Sequence, residues 1–107
     1  MLKIENPTPI ETEIISRCKY IFDPEIPVNI WELGFIYEIN IDKENNVQIL
    51  MTLTAPNCPA AETLPAMVRD EIMNIRGVNR VNVDITFEPP WSTEMMSEEA
   101  MLDLGLL

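Results

Sequence analysis

A chain of 107 residues, 47 % apolar and 23 % charged, is long enough for one domain, 1–107, with a core of its own. Its 18 acidic and 7 basic side chains give a net charge of −11, which repels phosphate backbones and anionic headgroups and so speaks against nucleic acid and membrane as partners. Two cysteines and no histidine exclude a disulfide framework, a closed zinc site within one chain, and imidazole-based catalysis.

The N-terminal "MLKIENPTP" lacks the apolar run of a signal peptide, and no stretch is long enough to span a bilayer. A cytoplasmic protein with reduced thiols is expected. "TPIE" then predicts a helix start: Thr8 caps, Pro9 suits the first helical position and Glu11 closes a capping box. Ile10, Ile14, Cys18 and Ile21 recur on one face of that helix, which makes Cys18 a small buried hydrophobe. The prolines of "FDPEIPVN" stop it. Asp23 and Glu25 in this segment read as turn residues or, as paired carboxylates, as groups able to bind a hard metal or polarise a thiol. A short turn, "NIWELG", follows and ends at Gly34.

Phe35, Tyr37, Ile39 and Ile41 alternate with polar residues and predict a half-buried strand; "DKENN" is a turn, and Val47, Ile49, Met51 and Leu53 return as the second strand of a hairpin. A second helix is predicted from about Pro59, with Ala61, Leu64, Val68, Ile72 and Ile75 on one face, an irregular first turn around Pro65, and Gly77 at its left-handed end. Val81, Val83, Ile85 and Phe87 form a third strand. "EPPWS" breaks it, and a short terminal helix stops at Gly105. The order α-β-β-α-β-α predicts an α+β two-layer sandwich: a small three-stranded mixed sheet with helices on one face, strand three entering parallel by a right-handed crossover.

The stretch "TLTAPNCPAAETL" carries the candidate chemistry. With a helix starting at Pro59, Cys58 stands at its N-cap, where unpaired amides and the helix dipole lower a thiol pKa to roughly 3.5–7.5. The competing reading is a cysteine serving as an ordinary cap. Trp91 among its prolines reads either as a core plug or as an exposed interface residue, and Met95, Met96 and Met101 as packing.

Three motifs, "DPEIPVNIWELG", "TLTAPNCP" and "PPWSTEMMSEEA", occur in one order between Asp23 and Leu107. Together they resemble the SufT/PaaD family of small iron–sulfur assembly factors, relatives of a component of the eukaryotic cytosolic iron–sulfur targeting complex. The resemblance implies an adaptor that delivers clusters to recipient proteins. Cys58 is then the functional thiol, Asp23, Glu25 and Thr54 line its pocket, and Trp91 and Ser97 belong to the C-terminal motif. Met95 or Met101 stands where the family often has a basic residue, and Asn57 where a small one precedes the cysteine.

A cluster needs about four ligands, mostly thiolates, and one chain offers Cys58 with Cys18 buried. Cys58 is therefore expected to ligate a cluster only transiently, with no tightly bound cofactor. A partner or a second copy in a homodimer completes the set, or no cluster binds at all. The implied partners are the iron–sulfur assembly machinery and recipient apo-proteins. Two other readings stand beside this one. One is a thiol enzyme with a peroxidatic or acyl-accepting Cys58, against which count the missing histidine, the lack of a nearby arginine and the lack of a resolving cysteine. The other is a pure adaptor whose cysteine is dispensable.

Overall fold

The computed structural model describes residues 2–24, 26–55 and 61–106. The capping box forms as predicted: the Thr8 amide donates to Glu11 Oε1 at 2.9 Å, and the Glu11 amide donates to Thr8 Oγ1 at 3.2 Å. Helix α1, Pro9–Cys18, starts from it and buries Ile14 and Cys18. Strands β1, Ile36–Ile41, and β2, Val47–Met51, form an antiparallel hairpin. Its turn is tied by Asp42, whose carboxylate accepts from the Glu44 and Asn46 amides, with Asn45 at φ +62°. Asn46 also holds the Asp42 carboxyl below its usual range through its side-chain amide.

Helix α2, Thr63–Met73, crosses over and returns the chain as β3, Val81–Ile85, which pairs with β2 in parallel. The sheet order is β1-β2-β3. A 3-10 turn, Thr93–Met95, and a short helix α3, Glu98–Asp103, complete the chain. The expected α+β order and mixed sheet are both present. Ile14 and Cys18 of α1 and Leu64, Val68 and Ile72 of α2 join Val47, Ile49 and Met51 of β2 in one buried cluster. Each large apolar side chain so buried contributes about 1.5–3 kcal/mol. The opposite face is polar, where Asn82 donates to Gln48 and Gln48 to Asp84. Arg17 pairs with Glu13 and with Glu71 of α2, each at 3.1 Å, and ties the two helices at their solvent edge.

Two sequence expectations are corrected. The strict alternation in β1 placed Tyr37 on the core face with Phe35 and Ile39. In the structure Ile36 pairs with Met51 and Glu38 with Leu50, so one extra residue is accommodated between them. That bulge buries Ile36 and re-aims Tyr37, whose hydroxyl donates to the Pro89 carbonyl at 2.9 Å. The second helix also starts later than Pro59. Its N-cap is Glu62, without a side-chain capping bond, and Pro65 lies in the first turn, where an amide has no intrahelical partner to lose. The first turn expected to be irregular around Pro65 is therefore the regular start of α2.

Glycine is required at position 34, with φ +79° and the Met95 backbone carbonyl oxygen where a Cβ would stand. Gly105 has φ +74° with nothing within 4 Å. Gly34→Ala adds a backbone clash to the left-handed strain and is expected to cost roughly 3 kcal/mol or more. Gly105→Ala carries the strain alone, about 1 kcal/mol. Urea unfolding midpoints of the two variants measure the difference.

Candidate functional site

Because β2 and β3 are parallel and β1 runs against β2, the carboxyl ends of β2 and β3 meet the amino end of β1 at one end of the sheet. Crevices at such carboxyl ends are where open α/β sheets bind ligands. Backbone bonds draw three segments together here. The Thr52 amide donates to the Phe35 carbonyl at 2.8 Å, the Thr86 amide to that of Met51 at 2.9 Å, and the Phe35 amide to that of Ile30 at 3.1 Å. The three sequence motifs thus converge on one edge of the molecule.

The first motif forms a closed loop. A bridge between Phe22 and Asn29 pinches its ends, and the Ile30 amide donates to the Ile21 carbonyl at 2.8 Å. Within this loop Asp23 is buried, 4 % exposed. Asn29 Oδ1 then accepts from the Glu32 amide at 2.9 Å and starts the turn that buries Ile30, Trp31 and Leu33 before Gly34.

The C-terminal motif grips that turn. Trp91 Nε1 donates to the Leu33 carbonyl at 2.8 Å, and its ring stands edge-on to Phe35 with centroids 5.7 Å apart. The Ser97 amide donates to the Glu32 carbonyl at 2.9 Å, while Ser97 Oγ caps α3 by accepting from the Ala100 amide at 3.1 Å. Trp91 is half-buried: it packs against the core, as a plug would, and keeps part of its surface exposed. Both motif residues hold the fold at this edge. Sequence reasoning missed the anchors they bind, the Glu32 and Leu33 carbonyls, and missed Tyr37. The apolar density of "IWELGFI" around Gly34 was the available signal.

The second motif follows β2. Thr52 and Leu53 are buried and Thr54 is exposed, so the chain leaves the core at that residue. Burial pushes the Tyr37 hydroxyl pKa up, partly offset by a hydrogen bond to Thr52. Cys58 and Glu25 lie outside the described residues, and with them the pocket expected of Asp23, Glu25 and Thr54. The expected N-cap role of Cys58 lies outside the described residues as well; α2 itself takes Glu62 as its N-cap.

The other thiol is settled. Cys18 has no exposed surface, and burial pushes its pKa up to about 12. Among the described residues no group of three or more acidic, cysteine or histidine side chains is arranged to hold a metal ion. No helix among them is long and apolar enough to cross a membrane.

A small mixed sheet with a one-sided helical layer and motif loops gathered at its carboxyl edge matches a known class. Residues 11–85 match the family described as iron–sulfur cluster assembly protein. The chain is 48 % identical over 97 residues to a Fe-S protein maturation auxiliary factor of Porphyromonas gingivalis, covering 91 % of this chain and 92 % of that one. It is 34 % identical over 86 residues to the maturation auxiliary factor SufT of Staphylococcus aureus, covering 80 % of this chain and 98 % of that one. A crystal structure of a domain of unknown function from Bacillus anthracis superposes with a TM-score of 0.85 at 34 % identity, over 92 % of this chain and 93 % of that one. The chain belongs to the iron–sulfur cluster assembly protein family. Its role lies in iron–sulfur cluster assembly and maturation.

Trp91→Phe keeps the ring contact and removes the donor to the buried Leu33 carbonyl, so it is expected to destabilise the fold by about 1–3 kcal/mol in urea titrations. Cys18 is expected to resist iodoacetamide at pH 8, where a pKa of about 12 leaves roughly one thiolate in ten thousand. It should label fully in denaturant, and peptide mapping of the alkylated protein distinguishes it from Cys58.

Proposed function

We propose that this protein hands iron–sulfur clusters to recipient apo-proteins through Cys58, holding its cargo only transiently. The observation that carries the reading is the burial of Cys18. With that thiol sealed in the core, one chain has a single remaining thiol for a cargo that takes about four ligands. Ligation is completed by a partner of the assembly machinery, by the recipient, or by a second copy in a homodimer. An incomplete set suits a donor, because every bond the protein makes to the cluster must be broken on transfer. The work is delivery rather than turnover of a small molecule, and its setting is the cytoplasm.

Asp23, Glu25 and Thr54 are proposed as the polar surroundings of the thiol. Two features support this: Asp23 sits buried in a pinched loop, and Thr54 is where the chain emerges from β2 on its way to Cys58. Trp91 and Ser97 are positioning residues, since they fasten the Ile30–Gly34 turn at the same sheet edge.

Replacing Cys58 by Ser in cells that depend on this protein tests the proposal. Recipient iron–sulfur enzymes are expected to lose activity to the level of cells lacking the protein, while Cys18→Ala, at about 2 kcal/mol of stability, leaves them active. Full activity with Cys58→Ser would make the thiol dispensable and leave a pure adaptor. Anaerobic reconstitution of the purified protein is expected to give a cluster that a chelator strips within minutes. A stoichiometric cluster that survives the chelator counts against transient holding.

A further inference from the structure

A cleft of about 490 Å³ opens between the end of α1, the 22–29 loop and α3. Phe22 and Val28 supply apolar wall, Glu32, Glu99 and Asp103 supply carboxylates, and Lys19 stands on the lining as its one cation. Phe22 is 49 % exposed even though its backbone is fixed by the bridge to Asn29. Phe22 thus puts an aromatic surface beside the carboxylates in one concave place, a pairing of apolar and charged groups that suits a protein partner.

The electrostatics of the cleft are unfavourable in the free protein. Glu99 and Asp103 are four residues apart on α3 and repel each other. Asp103 closes that helix, where the dipole disfavours a carboxylate and the last turn has no basic residue. Glu32 Oε2 is shielded from solvent and has no hydrogen-bond donor among the described residues. The ion pairs among the described residues join Arg17 to Glu13 and Glu71, and Arg69 to Asp70, so Lys19 forms no direct ion pair with any of the three carboxylates. An incoming cation relieves each of these costs.

We infer that this cleft docks a segment of a partner protein that carries an arginine beside an apolar side chain. The guanidinium serves the carboxylates of Glu32, Glu99 and Asp103, and the apolar side chain rests on Phe22. Arginine fits better than lysine because it is weakly hydrated and its donors fork towards more than one carboxylate. A second copy of a chain with net charge −11 is a poor electrostatic occupant. The inference does not involve Cys58 and stands or falls apart from cluster transfer.

The test is a ¹H–¹⁵N NMR titration of the full chain with N-acetyl-Leu-Arg-amide, using N-acetyl-Leu-citrulline-amide as the uncharged control. Saturable shifts confined to the amides around Phe22, Asn29, Glu32, Glu99 and Asp103 are expected, at least fivefold weaker for the citrulline probe and weakened by added salt. The exposed double substitution Glu99→Gln/Asp103→Asn is expected to weaken arginine binding at least fivefold, with a melting temperature equal to or above that of the parent. Absent shifts, shifts spread over the whole acidic surface, or equal response to both probes overturn the proposal. So does a folded double variant that binds the arginine probe like the parent.

Discussion

The contact on which the rest of this edge depends is the approach of the Met95 carbonyl to the backbone of Gly34, a distance that leaves no room for a side chain. It lets the C-terminal segment lie directly on the Ile30–Gly34 turn. From there Trp91 reaches the Leu33 carbonyl and Ser97 the Glu32 carbonyl. The turn in turn receives the Asp23 loop through Asn29 and passes the chain to β1 at the point where Thr52 is hydrogen-bonded to Phe35. Segments far apart in sequence become one hydrogen-bonded rim, and the chain leaves the core at Thr54 on its way to Cys58.

The two thiols have opposite chemical fates for reasons of solvation. Cys18 is packed among aliphatic side chains that disfavour its thiolate, which makes it core and nothing else. A chain without histidine and with two cysteines, one of them sealed in the core, offers few of the ligands that metal clusters take. Such poverty of ligands is consistent with assembly and maturation work, in which cargo must leave. The acidic surface adds a second constraint: it disfavours contact with polyanions, and at the α3 cleft it gathers the carboxylates of Glu32, Glu99 and Asp103 around a single lysine, Lys19.

Much of the fold is legible in the chain because local chemistry and tertiary need agree. Thr8, Pro9 and Glu11 specify a helix start that depends on nothing distant, and the capping box forms as written. Gly105 follows the α3 C-cap with positive φ, as a residue without Cβ permits, whereas α2 already ends at Met73 with Asn74 as its C-cap, so Gly77, at φ +95°, turns the chain beyond the helix instead of ending it as expected. The errors fall where a distant segment decides. Tyr37 reads as a core residue in a period of two, yet a bulge turns it towards Pro89, which lies 52 positions away. A helix from Pro59 fits the local pattern, while the observed one starts at Thr63. The bonds from Trp91 to the Leu33 carbonyl and from the Ser97 amide to the Glu32 carbonyl are likewise set by distant segments and have no signal in the local sequence.

By itself, the sequence determined the element order, the one-sided helical layer, the buried state of Cys18, the lack of any imidazole and the strongly acidic charge. These follow from periodicity, capping and composition, which act over a few residues or over the whole surface. Only the tertiary structure decided which carbonyls Trp91 and Ser97 hold, why position 34 must be glycine, and that Phe22 and three carboxylates share one cleft. Those facts depend on distances between segments that no local pattern encodes.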